Sequence, residues 1–184
     1  MVSKKITRSF VLVFALATAA SAQTTWKNLH FGDTREAVRS ALAAQNFAVE
    51  TSQEGALQSV SDYDILLPGM RNTLPLRADF HFTDAGGLMD ITLSLDFSAM
   101  RRIYPSLGGD ERLLAFAADK FNRALTDKYG VPLFKRPECD ADLAKTPNAV
   151  CTINWRDPAQ SIELDWLIRT PHLFIRYQMI SPDL

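Results

Sequence analysis

Leu76-Arg-Ala-Asp-Phe-His-Phe82, Asp84-Ala-Gly-Gly87 and Met89-Asp-Ile-Thr-Leu-Ser-Leu-Asp-Phe97 form the stretch on which the fold turns. Apolar and polar residues alternate on both sides of the glycine pair, the period of half-buried strands. Leu76, Ala78, Phe80 and Phe82 share one face, and Met89, Ile91, Leu93, Leu95 and Phe97 share another. Gly86-Gly87 supplies the positive φ angles of a tight hairpin turn. A turn at Ala85-Gly86 or at Gly86-Gly87 keeps both apolar sets together, whereas a one-residue slip opposes Ala78 to Ser94. The earlier turn also sets His81 opposite Asp90.

Helices flank this hairpin. Before it, Asp33-Thr-Arg-Glu36 reads as a capping box, with Asp33 as N-cap. Ala37, Val38, Ala41 and Leu42 follow at helical spacing, and Asn46 is a suitable stop. After it, a helix is expected from Asp110 to Tyr129, with Leu113, Leu114, Ala117, Phe121, Ala124, Leu125 and Tyr129 as its buried stripe. Gly130 and Pro132 end it. Strands return at 150–155, 161–168 and 173–179. Opposing Ile168 with Leu173, Trp166 with Ile175 and Leu164 with Tyr177 builds an apolar face and sets Asp165 against Arg176. Cys151, Ile153 and Trp155 join the face of Trp166. The expected class is α+β: an antiparallel sheet with two α-helices packed on one face, in the order helix, strands, helix, strands.

The first residues carry Lys4, Lys5 and Arg8, then the apolar run Phe10–Ala17, then small residues at Ala20 and Ala22. This is the secretory pattern. The run is roughly half the ~20 apolar residues that a membrane span needs. Residues 1–22 are therefore read as a cleaved signal peptide, with no lipid-anchor cysteine at the junction, and 23–184 as one compact domain. Removing 22 of the 184 residues leaves 162, with 17 basic and 21 acidic side chains and a net charge of −4. That balance lacks the basic footprint of a nucleic-acid binder and the polybasic patch of an anionic-membrane binder. The mature chain, without a membrane span, is expected in the periplasm or secreted. Cys139 and Cys151, the two cysteines, read as a disulfide in that oxidising setting.

Reactive groups are sparse. His81, Asp90 and Ser94 share a polar strand face, and a hydrolase would need a nucleophile within hydrogen-bond reach of that pair. A solvated cross-strand pair is the preferred reading. His30 and His172 are read as solvent-facing. Glu138, Asp140 and Asp142 lack the glycine and distal glutamate of a calcium loop. Gly108-Gly109 precedes a helix whose Asp110 would repel an anion. Neither a phosphate-loop lysine nor a G-x-S-x-G elbow occurs, so no cofactor, metal or catalytic residue is assigned. Trp26 and Phe31-Gly32 are read as anchors for the first helix.

Trp26-x4-Phe31-Gly32-Asp33-Thr34-x-Glu36-x-Val38-x3-Leu42 resembles the opening of many small exported proteobacterial proteins of uncharacterised function. Lys128-Tyr129-Gly130-Val131-Pro132 is similar to a second element that they share. The likeness extends to SmpA/OmlA-type outer-membrane assembly lipoproteins and to β-lactamase-inhibitor-protein-like modules. It implies helices on an antiparallel sheet and action by binding other proteins. The lipoprotein cysteine is missing, and the resemblance carries no functional residue over. The leading expectation is a non-enzymatic interaction module contacting another envelope protein. A binder of a small apolar or amphipathic ligand comes next, with Phe80, Phe82, Phe121 and Trp166 as its pocket, and a hydrolase third. N-terminal mass analysis of the exported protein is expected to begin at Gln23, and an intact Met1 would contradict the leader reading.

Overall fold

In a computed structural model the described residues are 26–51, 57–59, 74–140 and 150–180. The leader, Gln23 and Asp142 lie outside them. The elements are α1 (Arg35–Ala43), β1 (Val49–Thr51), β2 (Leu57–Ser59), β3 (Leu76–Phe82), β4 (Leu88–Leu95), α2 (Phe97–Ile103), α3 (Asp110–Tyr129), β5 (Phe134–Lys135), β6 (Val150–Arg156), β7 (Gln160–Leu167) and β8 (His172–Met179). The class is α+β, with one antiparallel sheet in the order β1-β2-β3-β4-β8-β7-β6-β5. Each half runs helix first and then a four-strand meander, and the last strands of the two meanders meet at the centre.

The β3–β4 hairpin takes the earlier turn placement, pairing Leu76 with Leu95, Phe80 with Ile91 and His81 with Asp90. Gly86, at φ +86°, closes the turn by donating its N–H to the Thr83 carbonyl at 2.8 Å. A bulge then shifts the ladder so that Phe82 faces Leu88. An extra residue in one strand exchanges its faces. Leu88, not Met89, therefore enters the core, and Met89 is exposed. Phe97 also departs from the alternation: Asp96 accepts the Ala99 N–H at 2.9 Å and begins α2 there. A side-chain N-cap is what stops the strand.

Thr34, rather than Asp33, caps α1, accepting the Ala37 N–H at 3.3 Å. Asp33 is committed elsewhere: its carboxylate takes the His30 N–H at 2.7 Å and its carbonyl takes the Leu88 N–H at 2.8 Å. These bonds lay the helix entry on the start of β4. Gly87 leaves room for that approach, since a Cβ there would stand 3.2 Å from the Gly32 Cα. Within α1 only Val38 and Leu42 are buried; Ala37 is exposed. Trp26 anchors this corner as expected, packed on Phe47 and Phe80.

α3 spans the expected residues and lies over β6, β7 and β8. Arg101 of α2 grips Asp110 with two hydrogen bonds of 2.7 and 2.5 Å, holding the short helix against the start of the long one. At the other end the Trp155 indole donates to the Gly130 carbonyl at 3.1 Å. The buried residues of α1 and α3 join the apolar sheet face in one core cluster. Cys139 and Cys151 are bonded, with their Cα atoms 4.7 Å apart. The link ties the 3-10 turn Pro137–Asp140 to β6 and contributes roughly 2–3 kcal/mol by the loop-closure argument.

In the C-terminal meander the faces are as expected but β7 and β8 sit two residues out of the expected register. Trp166 faces Leu173, Leu164 faces Ile175 and Ile162 faces Tyr177. The connection is longer than a tight hairpin: residues 168–171 form it, and Ile168 tucks into the core from the turn instead of pairing. A shift of two preserves each side chain's face while changing its partner. Arg176 consequently faces Glu163, and Asp165 faces Phe174. Leu88→Ala is expected to cost about 2–5 kcal/mol and Met89→Ala within about 0.5 kcal/mol in urea unfolding. Equal losses would contradict the bulge.

Candidate functional site

The alternation that buries one sheet face leaves the other to polar residues, and no described helix lies over it. Three cross-strand rows cross this face. One runs Asn154, Glu163, Arg176, Thr92 and Asp79; the next runs Arg156, Ser161, Gln178, Asp90 and His81. The third carries Thr152, Asp165, Phe174, Ser94 and Arg77.

Asp90 is the exception to the exposure of this face, with no accessible surface. Its carboxylate is held by the Arg176 Nε and by the Thr92 hydroxyl, the latter at 3.0 Å. Arg176 remains half-exposed. A carboxylate taken out of water needs such a partner, because left alone it carries a desolvation cost of several kcal/mol.

The structure therefore places His81 beside Asp90, as the sequence implied, but the carboxylate is committed to Arg176. Neither His81 nor Ser94 makes a side-chain hydrogen bond among the described residues. Ser94 lies four residues along β4 from Asp90, about 13 Å at ~3.3 Å per residue. Its cross-strand neighbours are Arg77 and Phe174. A proton relay from Ser94 through His81 to Asp90 would need contacts of about 3 Å, so the three side chains share a face without forming a triad.

Phe80, Phe121 and Trp166 are packed into the core, and Phe82 lies half-buried beneath the Arg35 guanidinium, 4.6 Å from its ring centre. Among the described residues, a hollow of about 240 Å³ between α3 and β6 touches the Trp166 edge beside Asn122, Lys135 and Cys139 and takes in none of the three phenylalanines. His30 uses its peptide N–H to bind Asp33, while His172 is exposed and stacks on Phe174. Among the described residues no three His, Cys, Asp or Glu side chains converge as a metal site would require. No described helix is long and apolar enough to cross a membrane.

A concavity of about 680 Å³ on the open face lies where β6, β7 and β8 reach the 156–161 turn. Arg156, Ser161, Glu163, Arg176 and Gln178 line it with Asn154, whose side-chain oxygen is buried without a partner. Leu133, Met179 and Ile180 supply its apolar wall. Burial pushes the Glu163 carboxyl above the ordinary carboxylate range; Asp165 and Asp90 add to the rise, and Arg176 opposes it. Beside the groove Val131, Leu133 and Phe134 are 90%, 73% and 49% exposed, an apolar lip on the sheet margin.

Sequence reasoning did not single out this margin. The expected register matches Arg176 with Asp165, two residues along β7 from the Glu163 that it faces. The lip is legible as the apolar Val131-Pro-Leu-Phe134 run at the helix stop. No family model, no characterised protein and no solved structure matches the chain.

The raised Glu163 pKa has a definite consequence for stability. An acid whose pKa rises on folding favours the folded state while protonated, and that contribution is lost as pH rises through the raised value. Glu163→Gln is expected to raise the unfolding midpoint at neutral pH. The advantage over wild type should shrink as the solution is acidified below the ordinary carboxylate pKa. A pH-independent difference in chemical denaturation would contradict the assignment.

Proposed function

We propose that this protein is an exported, non-enzymatic interaction module of the cell envelope, using the open sheet face and its margin to contact another protein. The observation that carries the reading is the lip. Val131, Leu133 and Phe134 form a run of large apolar side chains in water at the edge of a well-packed domain. Contiguous exposed apolar surface of this kind marks contact sites. The secretory leader and the disulfide support an envelope setting, and the likeness of the opening to SmpA/OmlA-type and β-lactamase-inhibitor-protein-like modules points the same way.

A second reading, a binder of a small amphipathic ligand, is favoured by the groove beside the lip, whose volume falls within the roughly 300–1,000 Å³ of ligand sites. The core aromatics expected to line such a site are close-packed, so this reading moves from the interior to the sheet margin.

Val131 and Phe134 do not line the groove and therefore separate the two readings. The disulfide-bonded protein is expected to form a stoichiometric complex with a single protein of an envelope extract. Val131→Asp with Phe134→Asp should abolish it while circular dichroism and unfolding midpoint stay unchanged. An undiminished complex in that double variant would remove the lip from the interface.

A further inference from the structure

We propose that the groove over β6–β8 binds one single-chain amphiphile with an anionic head, its chain against Leu133, Met179 and Ile180 and its head between Arg156 and Arg176 beside Glu163. This rests on the ligand-binding reading and names the ligand's chemistry. The lining combines two kinds of surface that a purely apolar or purely polar ligand would leave half unused. A volume of about 680 Å³ accommodates one medium-length chain with its head.

The head's charge follows from the side chains that face the groove. Arg156, from β6, has no ion pair among the described residues. Arg176, from β8, gives its Nε to Asp90 of β4, leaving its remaining N–H groups for another acceptor. Guanidinium groups suit oxyanions because their parallel N–H donors match two oxygens at once. Glu163, from β7, is the one acid in the lining, and Asp165 on its own strand and Asp90 across the sheet both disfavour its charge. With Glu163 protonated, two guanidinium groups stand against the single buried Asp90 carboxylate, and the groove is cationic. An arriving anion pushes Glu163 further toward its neutral form, which then donates its O–H to the head. Binding is therefore coupled to proton uptake.

Decanesulfonate is the probe, because its head stays ionised throughout the titration, with ethanesulfonate as the head alone and octyl glucoside as a chain with a neutral head. All are used below their micelle concentrations, on the disulfide-bonded protein, by calorimetry. Decanesulfonate is expected to bind one to one, far more tightly than either control. Its affinity should rise as the solution is acidified, the side of the titration on which a raised carboxyl gains its proton. Arg156→Gln, an exposed substitution, should weaken it by about tenfold or more while leaving the unfolding midpoint in place. Glu163→Gln should flatten the pH dependence and keep the binding.

Octyl glucoside binding as tightly as decanesulfonate, with Arg156→Gln inert, would overturn the anionic head and leave the amphiphile-binding reading standing. Binding of neither amphiphile would overturn both. Capture by phosphatidylglycerol vesicles without binding of monomeric decanesulfonate would replace the groove with a membrane-surface contact, and would overturn the proposal.

Discussion

β4 is hydrogen-bonded along both edges, to β3 on one side and to β8 on the other. The second of these pairings joins the two four-strand meanders into one sheet. Ile91 stands against Tyr177 and Leu93 against Ile175 across the junction, so the seam is also the middle of the core. On the opposite face the same seam carries Asp90 and Arg176. The carboxylate there is buried by strands on both sides, and its arginine comes from the other half of the chain. A strand bonded on both edges cannot slip without losing two ladders, so its register constrains every side chain on the open face.

The contrast between the two faces follows from that constraint. Apolar residues of β3, β4, β6, β7 and β8 close against the helices in one cluster that takes in Phe80, Phe121 and Trp166. Polar residues crowd the other face, where close spacing makes even surface carboxyls interact: Thr152 donates to Asp165 at 2.9 Å, and Asp165 and Asp90 both disfavour charge on Glu163. The open margin near the 156–161 turn is where this polar lattice meets apolar side chains from the β5 approach and the end of β8.

Several features were legible residue by residue. The Gly86 turn, the length of α3, the strands around Trp155, Trp166 and Ile175, and the disulfide all followed from local pattern or compartment chemistry. The misreadings were local competitions with a tertiary outcome. Asp33 has the right chemistry for a cap but is drawn to the His30 N–H and the Leu88 strand, leaving the cap to Thr34. Met89 fits the alternation, yet the bulge gives its place to Leu88. Arg176 had two acidic candidates two residues apart on one face, and periodicity cannot choose between them.

The sequence by itself determined the class of the fold, the inward faces of β3, β6, β7, β8 and most of β4, the long helix and the pairing of its two cysteines, because these depend on periods of two and 3.6 residues and on a count of cysteines. Tertiary structure alone decided that β4 joins β8, that Asp90 is buried beneath Arg176, and that Arg156, Glu163 and Leu133 meet in one groove. Those are contacts between residues far apart in the chain. They depend on strand order and on register to within two residues, and a repeating pattern reads the same at every even shift.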